Sequence, residues 1–232
     1  DPLEFMEELR RGIRERGGIF LDDEAKSYIR NSDQVIHVET AKGERLKADQ
    51  FVLAGGAWTP EMTHLLGLRL PMQGGKGYSL TLKKPAELPR LCSLLKEARV
   101  AVTPMGGKLR VGGTMEICGT DLSVSRKRVQ GIIESFCKFF PAFKATDFEG
   151  IKPWSGLRPC TPDGLPCIGP LPGLQNVTVA TGHAMLGLSL GPVTGKLVTD
   201  LITQSKMDLD IDLGRLLPDR FLRSLVLLRL DG

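Results

Sequence analysis

The sequence predicts an α+β fold, with short buried strands and helices toward both ends of the chain and an antiparallel sheet between them. Three observations carry the prediction. Two short apolar strands, Phe51–Ala54 in "FVLAGGAW" and Val177 onward in "VTVATGHAMLG", each run into glycine and then a helical pattern. From Leu68 to about Thr120 the chain instead alternates apolar and polar residues between turn glycines. Amphipathic helical spacing is found near the first residues, after the alternating stretch, and after the second glycine junction.

Taken in order, Leu3, Phe5, Met6, Leu9 and Ile13 have helical spacing, and Gly17-Gly18 stops that helix. "IFLD", "SYIRN" and "VIHVET" read as short strands, the last two joined by a turn at Asn31-Ser32-Asp33. Phe51–Ala54 is wholly apolar and is predicted to be buried on both faces, with "TPEMTHLLG" a short capped helix after it. "GYSLTLKK" and "VAVTPMGGKLRVGGTME" predict antiparallel strands with a hairpin at Met105-Gly106-Gly107. "SRKRVQGIIESFCKFFP" is an amphipathic helix ended by Pro141, and "HAMLGLSLGPVTGKLVTDLIT" is the longest helical candidate.

Composition narrows the classes of function. Of 232 residues, 41% are hydrophobic and 25% charged, and 31 basic against 27 acidic residues leave a net charge of +4. These are ordinary values for a soluble globular protein. The basic runs "RRGIRER" and "SRKR" fall in helix-like segments and read as solvated faces, so no nucleic-acid partner is expected. The five cysteines form no CxxC pair and the three histidines are far apart, which predicts no metal site and free thiols in a reducing compartment, the cytoplasm. No signal peptide and no apolar run long enough for a transmembrane segment is present.

The two strand-to-glycine junctions are the first candidates for ligand binding. Glycine after a buried strand lets backbone approach a ligand closely, and a helix starting there presents N–H groups and a partial positive charge. The carboxyl end of strands in an open sheet is where nucleotide-like ligands bind. Gly187, Gly191 and Gly195 add a bare stripe suited to close packing on a strand or a flat ring. Neither a P-loop nor a dinucleotide fingerprint is present: "GPVTGKL" has the wrong spacing, and "GGKGYS" lacks the following helix. Arg158 lies in a proline- and glycine-rich loop, "WSGLRPCTPDGLPCIGPLPG". Its planar fork there suits either a bound carboxylate or a structural ion pair. His183 could be a base or a hydrogen-bonded structural residue, and no nucleophilic triad is recognisable.

With those residues in view, "FVLAGGAWTPEM", "KGYSLTL", "LRVGGTMEICG", the block from Trp154 to Ile202 and the terminal "DRF" (Asp219–Phe221) resemble the D-amino-acid oxidase superfamily of FAD enzymes, nearest to the bacterial D-amino-acid dehydrogenases. The resemblance runs from about Pro2 to Phe221, and the Trp154–Ile202 block is its most specific part. It implies that Arg158 holds the substrate α-carboxylate, with Tyr78 and His183 also at the substrate. It further implies that Gly55, Gly56, Ala57 and Trp58 pass near the FAD, and that Gly182, His183, Leu186, Gly187 and Leu188 line its isoalloxazine ring. No catalytic side chain and no metal ligand is implied.

The resemblance also implies that the α+β fold comprises an incomplete, Rossmann-like FAD-binding part (residues 1–67 and 153–222) and a substrate domain (68–152), with 223–232 unassigned. Family members open with a G-x-G-x-x-G unit that holds the FAD diphosphate; this sequence has none and reads as the C-terminal portion of such an enzyme. FAD is therefore expected in the full-length protein, and a polypeptide of this length is expected to bind it poorly or not at all. The implied reaction is oxidation of an amino acid at Cα, with electrons passing to a quinone or oxygen and peripheral association with the inner face of the membrane open. A glycine, sarcosine or 2-hydroxy-acid oxidase, or a non-catalytic module without flavin, are the other readings.

Overall fold

A computed structural model describes residues 2–206 and 209–221. Helix α1 (Pro2–Glu15) opens the chain, and its apolar residues Leu3, Met6, Leu9 and Ile13 are all exposed. Strands β1 (Ala25–Asn31), β2 (Gln34–Thr40) and β3 (Arg45–Leu46) follow, then β4 (Phe51–Leu53) and helix α2 (Thr59–Leu65). The middle of the chain gives β5 (Gln73–Leu82), β6 (Ser93–Leu95), β7 (Val100–Met105), β8 (Lys108–Ile117) and helix α3 (Arg126–Phe139). The last elements are β9 (Trp154–Cys160), β10 (Cys167–Pro170), β11 (Val177–Thr181) and helix α4 (Gly187–Thr203).

These elements form two compact units, Asp1–Gly12 with Gly74–Leu157 and Ile13–Gln73 with Arg158–Gly232. In the first, a five-stranded sheet has the order β6-β7-β8-β5-β9. The β6–β7, β7–β8 and β8–β5 pairs are antiparallel. Gly106 and Gly107 turn β7 into β8 with φ of +52° and +79°, the two left-handed residues that a tight hairpin of matching twist requires. α3 lays Val129, Ile132, Ile133 and Phe136 on the sheet residues Tyr78, Leu80, Val100, Val102, Leu109 and Val111. Phe136 is closed in by Phe140, Phe143 and Phe148, with ring centroids 4.9, 5.0 and 5.7 Å away.

In the second unit β11 pairs parallel with β4 and antiparallel with β10, giving the order β10-β11-β4, while β1-β2-β3 form a separate meander. Val35 and Val38 of the meander pack with Leu53, Cys167, Leu171, Val177 and Val179 in one core. Asn176 clamps the meander to this core: its Oδ1 accepts from the Val35 N–H at 2.9 Å and its Nδ2 donates to the Val35 carbonyl at 2.8 Å. Burying an amide costs little when both its ends are satisfied in this way.

Four expectations change. Ile19–Asp22 forms no strand, and Ile19 is 84% exposed. β4 is not buried on both faces, because it is an edge strand whose Val52 is 42% exposed. Arg158 lies on strand β9 rather than in a loop, with the turn-rich residues beginning only after Cys160. The last long helix does not start at the Gly182 junction but at Gly187, after an intervening turn. The unassigned stretch 223–232 lies outside the described residues.

Candidate functional site

Because β4 and β11 are parallel and in register at Leu53 and Val179, their carboxyl ends emerge side by side. Both glycine junctions therefore leave the same end of one sheet. They are tied together by threonine hydroxyls: Thr59 donates to Thr181 Oγ1 at 3.2 Å, and Thr181 donates to the Gly56 carbonyl at 3.0 Å. Thr59 is fully buried and Thr181 nearly so. A satisfied chain of this kind in a dry interior fixes the two turns relative to each other.

The glycines at these turns are needed for different reasons. Gly56 has φ +56°, a left-handed conformation, yet nothing lies within 4 Å of where its Cβ would be. Gly182 has φ +83° and is also tightly enclosed, since a Cβ there would lie 2.8 Å from Thr161 Cγ2 and 3.2 Å from the Cys167 nitrogen. Ala57 is buried below the first turn, and Trp58 is left partly exposed beside it.

After Gly182 the chain is stitched to strand β9. His183 forms an antiparallel bridge with Cys160, and the Ala184 N–H donates to the Pro159 carbonyl at 2.9 Å. Alternation along the strand puts Arg158 on the same side of β9 as Cys160. The arginine, of intermediate exposure, is thus carried on a strand whose last residues are bonded to the Gly182–His183 turn. The structure brings these sequence-predicted residues together, although 25 positions separate Arg158 from His183.

His183 is held through its ring, with Nε2 2.9 Å from Thr194 Oγ1 on α4. Burial disfavours its charged form and pushes its pKa below the usual histidine value. Around it Met185, Leu186 and Leu188 expose apolar side chains. α4 starts at Gly187 with no side-chain cap, which leaves its first N–H groups to other acceptors. No atom lies within 4 Å of a Cβ built at Gly191 or Gly195, so the glycine stripe does not pack on the sheet. Tyr78 lies in the other unit, 2% exposed, and its hydroxyl donates to Glu116 at 2.8 Å; burial raises its pKa, with Glu116 adding to the effect. It is a core residue of the five-stranded sheet.

Sequence reasoning missed Thr59, Thr181 and Thr194, which hold this end of the sheet together. The available signal was adjacency, since Thr181 directly precedes the Gly182 junction and Thr59 closely follows Gly55-Gly56. Among the described residues no group of His, Cys, Asp or Glu is placed to hold a metal ion, and no helix is long and apolar enough to cross a membrane.

Comparison with known proteins bears on this end of the sheet. The family described as FAD dependent oxidoreductase (DAO) matches residues 1–201. A D-amino acid dehydrogenase of Xanthobacter autotrophicus is 37% identical over 203 residues, covering 87% of this chain and 47% of that protein. A glycine oxidase of Pseudomonas aeruginosa is 33% identical over 198 residues, covering 84% and 53%. Among solved structures, glycine oxidase from Geobacillus kaustophilus superposes with a TM-score of 0.73 at 28% identity, covering 87% of this chain and 53% of that one. L-proline dehydrogenase from P. horikoshii gives 0.76 at 25% identity, covering 91% and 57%. The chain spans about half the length of the curated relatives it matches.

Proposed function

Since the chain belongs to the DAO family of FAD-dependent oxidoreductases, we propose that it binds an amino acid by its α-carboxylate at Arg158 for oxidation at Cα. One observation carries this reading: strand β9, which bears Arg158, is bonded through Cys160 and Pro159 to the glycine junction at Gly182. The resemblance assigned those two features to substrate and to flavin.

The residues fit a flavin. Gly56 would accept a close approach, since a Cβ there meets nothing within 4 Å, and the stripe at Gly191 and Gly195 leaves the same room. Gly55, Gly56, Ala57 and Trp58 on one side, and Gly182, His183, Leu186, Gly187 and Leu188 on the other, would hold the group. The uncapped start of α4 offers N–H donors to its polar edge. When bound, FAD supplies the two-electron acceptor.

The chain's own residues then orient and neutralise. Arg158 takes the carboxylate in a two-pronged grip, and that grip fixes which way Cα faces. His183, whose charged form burial disfavours, is bonded to Thr194 and shapes the site. Tyr78 is enclosed in its own core, with its hydroxyl donating to Glu116.

The X. autotrophicus relative's name favours a D-amino acid, and the P. aeruginosa relative's name supports glycine as the second reading. The test is a panel of D- and L-amino acids, glycine, sarcosine and 2-hydroxy acids mixed anaerobically with the whole natural protein loaded with FAD. Bleaching of the flavin by D-amino acids above all others is the expected result; bleaching by none of the carboxylates removes the proposal. Reoxidation by oxygen or by a quinone then identifies the acceptor.

A further inference from the structure

We infer that Arg220 and Asp163 form a positioning pair for this site, acting through the Thr161–Leu165 turn on the Gly182–His183 junction. The inference builds on the assignment of Arg158 and that junction to substrate and flavin.

Arg220 is enclosed, its side chain 12% exposed. Its Nε donates to Asp163 Oδ2 at 2.8 Å and its Nη2 to Oδ1 at 3.1 Å, a two-pronged pairing. Nη2 also donates to the Leu165 carbonyl at 2.9 Å, and Nη1 to the Leu216 and Leu217 carbonyls at 3.0 Å each. Exposed ion pairs contribute little, but an enclosed guanidinium with this many fixed acceptors defines a geometry. The Arg220 guanidinium holds the Asp163 carboxyl below the usual carboxylate range.

The partner of Arg220 is a small, tightly closed turn. Asp163 Oδ1 accepts from the Leu165 N–H at 3.1 Å, and the Thr161 hydroxyl donates to the Leu165 carbonyl at 2.7 Å. Gly164 takes φ +74° inside it. Arg220 therefore grips one carboxylate and one carbonyl of the same turn, which the turn's own bonds already connect.

That turn touches the site on two sides. Thr161 directly follows Cys160, which bridges His183 and shares a strand with Arg158. The Thr161 methyl, the Pro166 Cα and the Cys167 nitrogen are also the atoms that a Cβ at Gly182 would meet, at 2.8, 3.4 and 3.2 Å. The turn is thus a backstop for Gly182 and the continuation of the strand carrying Arg158. A shift of the turn moves both, while the meander of β1–β3 makes none of these contacts.

The experiment uses Asp163→Asn, which keeps an acceptor for the Leu165 N–H, and Arg220→Lys, which keeps the charge and loses the fork. Both are made in the whole natural protein loaded with FAD. Amide hydrogen exchange is followed over residues 181–187 and over 25–40, alongside KM and kcat for the amino-acid substrate. The expected result is exchange at least about tenfold faster over 181–187 with 25–40 unchanged, and KM raised about tenfold with kcat within about threefold. Faster exchange confined to 161–166 and 213–221, or spread equally to 25–40, overturns the inference by making the pair a local or general structural staple. Unchanged KM overturns it where Arg158→Lys does raise KM. If Arg158→Lys is also without effect, the carboxylate assignment is what fails, and the exchange pattern over 181–187 alone decides whether Arg220 and Asp163 position the junction.

Discussion

The Thr181 hydroxyl donates to the Gly56 carbonyl across 3.0 Å, joining residues 125 positions apart and fixing the two glycine turns to each other. Thr59, fully buried, completes the link by donating to the same hydroxyl. In Thr181→Val the Thr59 donor loses its acceptor in a dry environment. A loss of about 1–3 kcal/mol in urea unfolding is expected. Adding Thr59→Val removes the stranded donor, so the double variant should be no less stable than Thr181→Val alone; strictly additive losses would show that the hydroxyls do not act as a pair.

Gly182 and Gly195 should respond to alanine with opposite signs. At Gly182 the positive φ and the 2.8 Å approach to Thr161 leave no place for a methyl, and a loss of about 1–3 kcal/mol is expected from overpacking alone. At Gly195, inside α4, a methyl meets nothing within 4 Å, and a gain of about 0.5–1 kcal/mol is expected from the lost backbone freedom of glycine. Thermal unfolding of the two variants reads the comparison, and equal signs would contradict it.

His183 should make folding sensitive to mild acid. Burial lowers its pKa in the folded state, so the unfolded chain binds the proton more tightly. The group's contribution is fully present above the unfolded value of about 6.5 and is lost as pH falls through the lower folded value. Unfolding free energy should therefore decline below about pH 6.5, and His183→Gln should flatten that limb. A decline of the same steepness in the variant would assign the effect to other groups.

A polypeptide of these 232 residues should bind FAD weakly. Its sequence contains no G-x-G-x-x-G, the pattern that sets a dinucleotide's pyrophosphate on a helix start. The contacts proposed for FAD, around Gly55 and Gly182, would have to offset the loss of freedom of a large ligand by themselves. A colourless preparation and weak binding in titration are expected; stoichiometric flavin retained through gel filtration would contradict this.

The parts that follow from local pattern could be read in the sequence. Alternation and the Gly106-Gly107 turn gave the β7–β8 hairpin, and the strand-to-glycine junctions gave both ends of the candidate site. What could not be read depends on partners far along the chain. Whether Ile19–Asp22 becomes a strand depends on finding a neighbour, and whether Val52 is covered depends on what flanks β4. Arg158 looked like a loop residue because prolines and glycines surround it, whereas its place on β9 comes from sheet pairing that composition does not encode. For Thr59 and Thr181 adjacency to the glycine junctions was too common a signal to single them out, and their role arises only when β4 and β11 become parallel neighbours.

The central claim is that Arg158 grips a carboxylate, and Arg158→Lys in the whole natural protein loaded with FAD tests it most directly. Lysine keeps the charge but replaces the two-pronged fork with a point charge. The account predicts a KM for the amino-acid substrate raised about ten- to a hundredfold, with kcat falling less and the melting temperature unchanged. A variant with the KM and kcat of the parent would show that the carboxylate is held elsewhere.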